Sequence, residues 1–285
     1  MTSARPRSNA TGRARRGGSS RSAGKTAGYS RQGQGSQGLR NRLIVLALAL
    51  VVLALAVWAE SFFRPRAFPP DRAEFPIRGI DVSHHQGRID WQRVAADDVA
   101  FAIIKATEGG DYVDDTFAQN LRQARAAGLA VGAYHFFTFC RPGADQAKNF
   151  ISTVPPGGQL LPPVVDIEFH GNCPHRPSPA ELGAELLAFL GPVEAAYGKP
   201  AIIYITDDAA PTYSAHIAIR HRWLRSIAMP PKEDDWVYWQ YLDTGRVDGI
   251  SGDVDLNVLK GGPARLTELF APAPESSFSG TPRSP

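Results

Sequence analysis

Residues 43–59 read LIVLALALVVLALAVWA, seventeen apolar residues without a charge. A membrane-spanning helix needs about 20 apolar residues, with roughly 17 as the lower limit. Phe62 and Phe63 extend the apolar length, and Trp58 suits a membrane–water interface. Arg40 and Arg42 stand directly before the run. Positive charge on that side predicts a cytoplasmic N-terminus, with everything beyond the run exported. The rival is a cleaved signal peptide, for which Val57-Trp58-Ala59 offers a weak cleavage site. The 42-residue leader is long, however, and the run exceeds the usual apolar region of about 7–15 residues. The expectation is therefore an uncleaved transmembrane anchor over residues 43–62.

The anchor organises the rest of the chain. Residues 1–42 are rich in Gly, Ser and Arg, with no apolar periodicity, and read as a disordered basic cytoplasmic tail. They hold ten of the 31 Lys and Arg and none of the 28 Asp and Glu. The net charge of +3 thus belongs to the tail, and the remainder is acidic. A nucleic-acid-binding role for the folded part loses its electrostatic footprint, and no nucleic-acid partner is expected. Residues 63–76 carry Pro65, Pro69, Pro70 and Pro76 among charges and read as a Pro-rich linker. Residues 77–262 form the expected folded domain, and 263–285, rich in Pro and Ser, a disordered tail. With 43% hydrophobic residues the chain has enough apolar material for one sizeable core.

Within 77–262 short apolar runs alternate with amphipathic stretches. Strands are expected over 79–82, 99–105, 130–136, 163–169, 201–205, 236–241 and 254–256, with a further one over 223–227. Helices are expected over 91–96, 117–127, 144–154 and 179–197. This alternation predicts an α/β fold with a parallel sheet. About eight strands in so short a domain fit an irregular (β/α) barrel of TIM type, smaller than the usual ~250 residues. The last third is strand-rich, so fewer helices than a full barrel are expected.

Acidic residues recur where these strands end. Asp81 follows Gly79-Ile80, Asp166 and Glu168 close Pro163-Val164-Val165, and Asp255 lies in Val254-Asp255-Leu256. Catalytic groups of a β/α barrel come from such strand ends, and acids inside apolar runs are costly unless they serve a site. Residues i and i+2 of a strand share a face, which places the Asp166 and Glu168 carboxyls roughly 6–7 Å apart. Close carboxylates push their pKa values apart, so that one keeps its proton while the other ionises. Glycoside cleavage requires that pair: an acid for the leaving oxygen and an anion beside a cationic transition state. The bland reading is a pair of acids that cap loops or bind arginine. A hard-metal site is the weaker chemical alternative, and no metal or cofactor is expected.

Several blocks, in order, resemble glycoside hydrolase family 25, the bacterial, phage and fungal muramidases. They are GIDVSHHQGRIDW (79–91), FAIIKATEGGDYVDDTFAQN (101–120), AGLAVGAYHFF (127–137), PPVVDIE (162–168), WVYWQY (236–241) and GISGDVDLNVLKG (249–261). The resemblance implies a barrel of five β/α units with further strands. It implies hydrolysis of the β-1,4 bond between N-acetylmuramic acid and N-acetylglucosamine in peptidoglycan glycan strands. By matched position it makes Glu168 the general acid, Asp166 its partner carboxylate, and Asp81 and Asp255 supporting acids. Tyr134, Tyr204, Trp239, Gln240 and Tyr241 fall where similar enzymes line the sugar groove. Cys140 and Cys173 follow the third and fourth strands; in an exported domain they are expected to form a disulfide.

Other residues have plainer readings. Adjacent residues of a strand point to opposite faces, so His84 and His85 cannot readily serve one metal ion. Lys105, Thr107 and Glu108 fit either sugar contact or a buried Lys–acid network. Trp91 reads as core, and Asp115 as a helix cap. Two further functions stay open: a peptidoglycan-binding module without chemistry, and a glycosidase for chitin or another amino sugar.

Overall fold

The structure, a computed structural model, describes residues 34–63, 69–157, 159–217, 221–227 and 229–271. It divides into two units, residues 1–63 and 64–285.

The first unit holds one 30-residue helix, α1 (Gln34–Phe63). Its apolar side chains lie on all sides, and those from Leu43 to Val57 are exposed. By length and composition it is long and apolar enough to cross a membrane. The helix begins before residue 43, so residues 34–42 of the expected tail are helical. No proline interrupts this stretch, and a helix nucleated in the apolar run extends backwards through it. Its end precedes Pro65, which disfavours helix in the residue before it. Residues 1–33 of that tail lie outside the described residues.

The second unit is a closed barrel. Its strands are β1 (Arg78–Val82), β2 (Phe101–Glu108), β4 (Ala130–Phe136), β5 (Val164–Ile167), β6 (Ile202–Ile205), β7 (His221–Arg225), β8 (Trp236–Gly245) and β9 (Val254–Leu259). The two-residue β3 (Tyr112–Val113) pairs antiparallel with β2 outside the ring. The order β1-β9-β8-β7-β6-β5-β4-β2 closes through β1–β2 pairing. Seven strands run parallel, while β9 runs antiparallel to both β1 and β8.

Helices α2 (Trp91–Ala96), α3 (Phe117–Ala126), α4 (Gly143–Thr153), α5 (Pro179–Tyr197) and α6 (Ala210–Ile217) follow β1, β2, β4, β5 and β6. Among the described residues no helix links β7 to β8 or β8 to β9. Local sequence sets the helix ends. Ser178 accepts from Glu181 N while the Glu181 carboxylate accepts from Ser178 N, and Pro179 starts α5 with its fixed φ. Gly198 stops it at a φ of 64°, the left-handed region where glycine is favoured.

Alternation along the strands builds two cores. Outward residues such as Ile80, Ile104, Val165, Ile167 and Ile203 pack against Leu121, Phe150, Leu186 and Phe189 of the helices. Inward residues Phe101, Ile103, Val164, Ile202, Trp223 and Tyr238 fill the barrel. Glycine at 79 makes room for them: a Cβ there would meet the Phe101 ring at 2.4 Å.

Several sequence expectations are corrected. Part of the expected linker 63–76 belongs to the barrel unit: Pro70 O accepts from Arg78, and the Phe75 ring meets Trp236 and Trp239. Residues 64–68 lie outside the described residues. The folded part also continues past residue 262. Helix α7 (Gly262–Phe270) buries Leu269 against the barrel interior, an apolar stripe the Pro/Ser composition obscured. Residues 272–285 of the expected tail are not described. Helix α6 and the short β3 were not anticipated, and β7 starts two residues earlier than expected.

Candidate active site

One polar cavity of about 200 Å³ opens at the barrel rim where the parallel strands end. It is lined by Asp81, Tyr134, Asp166, Glu168, Tyr204, Trp223, Arg225, Gln240 and Asp255. Each comes from β1, β4, β5, β6, β7, β8 or β9, or from the residue just past β5. Strand parity selects them. Val164, Asp166 and Glu168 face inward while Val165 and Ile167 face the helices. The four expected acids therefore meet. Asp255 arrives differently from expectation: it lies near the start of β9, not at a strand end. Because β9 is antiparallel, its start reaches the same rim, with Asp255 opposite Asp81 in register.

A directed chain of hydrogen bonds holds Asp81. Trp223 Nε1 donates to Asn257 Oδ1 at 2.8 Å. An indole nitrogen can only donate, so the Asn257 amide nitrogen is turned to Asp81 Oδ2, at 2.7 Å. Tyr204 donates to Gln240 Oε1 at 2.9 Å, and Gln240 Nε2 donates to Asp81 Oδ2 at 3.1 Å. Burial pushes Asp81 up to about 6 against these donors. Burial, with the Asp81 and Asp243 charges, pushes Asp255 up to about 9. The two carboxyls thus retain a proton between them near neutral pH.

The other pair is Asp166 and Glu168. Burial raises Glu168 to about 7, Lys105 opposes the rise, and the Asp208 and Asp81 charges add to it. Burial and the Glu168 charge hold Asp166 well above the usual carboxylate range. Its Oδ1 is buried without a hydrogen-bond partner among the described residues. Tyr134 and Tyr204 are also raised well above the ordinary phenol value, burial first and the Asp166 charge second, so both remain protonated.

Asn172 and the two cysteines fix the loops beside Glu168. Asn172 Nδ2 donates to Phe137 O at 2.8 Å and Glu168 O at 3.0 Å, and its Oδ1 accepts from Phe139 N and Cys173 N. Cys140 and Cys173 form a disulfide joining the loops after β4 and β5, with Cα atoms 6.3 Å apart. The Arg176 guanidinium covers the Phe169 ring at 4.5 Å and donates to the Cys173 carbonyl.

Trp239 and Tyr241 are not brought to this cavity. Gln240 faces inward, so its two neighbours face outward: Trp239 is buried in the outer core and donates to Ser226 O, and the Tyr241 hydroxyl accepts from Arg78. Sequence reasoning missed Trp223 and Arg225. Their alternation in HRWLR was the available signal. Lys105 and Glu108 pair at 2.8 Å, Thr107 and His135 meet at 2.7 Å, and none of the four lines the cavity. His84 and His85 lie in a 3-10 turn rather than a strand, with ring centroids 4.0 Å apart. Asp115 does not cap α3: Thr116 holds the cap position without a side-chain cap hydrogen bond, and Asp114 accepts from Thr116 N and Oγ1. Trp91 is core, its Nε1 bonded to Asn120. Among the described residues no group of three or more His, Cys, Asp or Glu is placed to hold a metal.

A closed barrel with paired carboxyls on its C-terminal rim fits the two-carboxylate chemistry of a glycoside hydrolase. The family model for "Glycosyl hydrolases family 25" matches residues 80–250, and the chain belongs to that family, as an enzyme of the lysozyme type. It is 36% identical over 214 residues to Lysozyme M1 of Streptomyces globisporus, covering 68% of this chain and 71% of that one. A family 25 glycosyl hydrolase from Bacillus anthracis superposes with a TM-score of 0.63 at 36% identity, over 68% of this chain and 93% of that chain. The bacterial lysozyme from Streptomyces coelicolor gives 0.62 at 34%, over 68% and 96%.

Proposed function

We propose that the enzyme is an N-acetylmuramidase that cleaves the β-1,4 bond between N-acetylmuramic acid and N-acetylglucosamine in peptidoglycan. The observation that carries this is Glu168 beside Asp166 in one cavity, its carboxyl pushed up to about 7. Glu168 is then a protonated acid near neutral pH, able to protonate the leaving glycosidic oxygen. Asp166 leaves the same strand on the same side, so it does not flank the sugar from the opposite face. That favours the substrate's own N-acetyl oxygen as the nucleophile. Asp166 Oδ1 is the acceptor for the amide N–H, and this bond would draw Asp166 toward its ionised form as substrate enters. Glu168, having lost its proton, would next take one from the water that opens the cyclic intermediate. Asp255 and Asp81 hold the network behind the pair.

α1 serves in this reading as a transmembrane signal anchor. The N-terminus stays in the cytoplasm, and the barrel faces the wall on the exported side, periplasmic or extracellular.

The test is mass spectrometry of digested peptidoglycan with the wild-type enzyme and Glu168→Gln. Products ending in reducing N-acetylmuramic acid, absent with the variant, are expected. Reducing N-acetylglucosamine ends would assign a different bond. Tight inhibition by a thiazoline analogue is expected for the assisted mechanism, and a sugar ester trapped on Asp166 would overturn it.

A further inference from the structure

Arg225 is the one cation among the residues that line the cavity, where four carboxyls also stand. It ends β7 opposite Gln240. Its Nη2 donates to Asp243 at 2.5 Å, and its side chain is 29% exposed. A guanidinium carries five N–H donors in a planar fork, and Asp243 takes one of them. Among the described residues no other partner takes the rest. Lys105, the other cation near the carboxyl pair, is held by Glu108 and lies against the Phe136 ring at 4.9 Å. It does not line the cavity. An ionised acid in the cleft disfavours an anionic substrate, and a cation with a free edge in the same lining offsets that charge. Neutral amino-sugar polymers such as chitin bring no anion to meet that edge.

We infer that Arg225 is a specificity-determining residue that binds a carboxylate of the glycan strand through the unused edge of its guanidinium. The inference rests on the peptidoglycan reading. Two sources share this chemistry: the lactyl carboxylate of muramic acid where the stem peptide is gone, and a carboxylate of the stem peptide itself. The bidentate geometry that arginine offers a carboxylate is lost to a carboxamide.

The experiment uses the full-length enzyme in detergent with four substrates. They are glycan strands stripped of peptide, the same strands with carboxyls converted to carboxamides, intact peptidoglycan, and intact peptidoglycan likewise amidated. The wild type is expected to favour the carboxylate form of at least one backbone by roughly tenfold in kcat/KM, carried by KM. Arg225→Gln should remove that preference, and Arg225→Lys, which keeps the charge without the fork, should retain part of it. A preference confined to stripped strands assigns the lactyl carboxylate; one confined to intact peptidoglycan assigns the stem. Equal wild-type rates on carboxylate and carboxamide forms of both backbones would overturn the inference, and that comparison needs no variant to fold. A persistent preference in well-folded Arg225→Gln would overturn it too. Failure of the wild type to cleave any of the four would instead remove the peptidoglycan reading, and this inference with it.

Discussion

On the proposed mechanism Glu168 must carry its proton into the reaction. With its carboxyl near 7, kcat/KM is expected to fall about tenfold per pH unit above that value, read from a pH–rate profile of the wild type. Glu168→Gln should lower turnover by roughly 10²–10⁴-fold while binding survives. Asp255 makes a prediction about stability. Its folded value, about 9, lies above its unfolded one, so the folded state keeps a proton that the unfolded chain releases as pH rises. Stability on this account is fullest below about pH 4 and declines until Asp255 ionises near 9. Asp255→Asn mimics the protonated form and still donates to Asp81. Its melting temperature should match the wild type's at pH 4 and exceed it by a few degrees at pH 9. The acids were legible in sequence because a carboxylate closing an apolar strand has few reasons to be there. The aromatics were not. WVYWQY offers two registers, and one inward residue, Gln240, turns Trp239 and Tyr241 away together. Three consecutive residues of a strand cannot all line one cavity.

At the scale of elements, loops decide how well the acid is held. The disulfide spans 33 residues, from the loop after β4 to the loop after β5. The loop-entropy argument gives about 3–4 kcal/mol for a closure of that length. Cys140→Ser/Cys173→Ser, or reductant, should lower the melting temperature by several degrees, checked by calorimetry. Asn172→Ala strips the Glu168 carbonyl and the Phe139 and Cys173 amides of their partner. Turnover should fall about tenfold with KM little changed, since the acid's position suffers rather than the groove; unchanged kcat would remove this role. The β/α units were readable from their alternation, and capping at Ser178 and Pro179 marked α5. The direction of β9 was not: VDLNVL reads the same as a parallel or an antiparallel strand, and only pairing with both β1 and β8 sets it.

For the whole molecule, the charge and apolar patterns along the chain carry the location. On the proposed topology the full chain should resist extraction from membranes by high salt or alkali and require detergent. Protease added on the exported face should digest the barrel and spare an epitope placed on the N-terminus. Loss of both outcomes would remove the anchor. The apolar run was legible because nothing else in the chain is so long and uncharged. The true edges of the folded unit were not, because Phe75, Pro70 and Leu269 find their partners only in the closed barrel.

The meeting of β1 with β9 also orders events in time. Asp81 lies on the barrel's opening strand, while Asp255 and Asn257, two of the groups bonded to it, lie on the closing one. A nascent chain presents Asp81 early, Gln240 159 residues later and Asn257 only after 176. Until that strand is threaded into place the ring stays open and Asp81 lacks its supports. The constellation around Asp81 is thereby completed only when the last strand closes the ring.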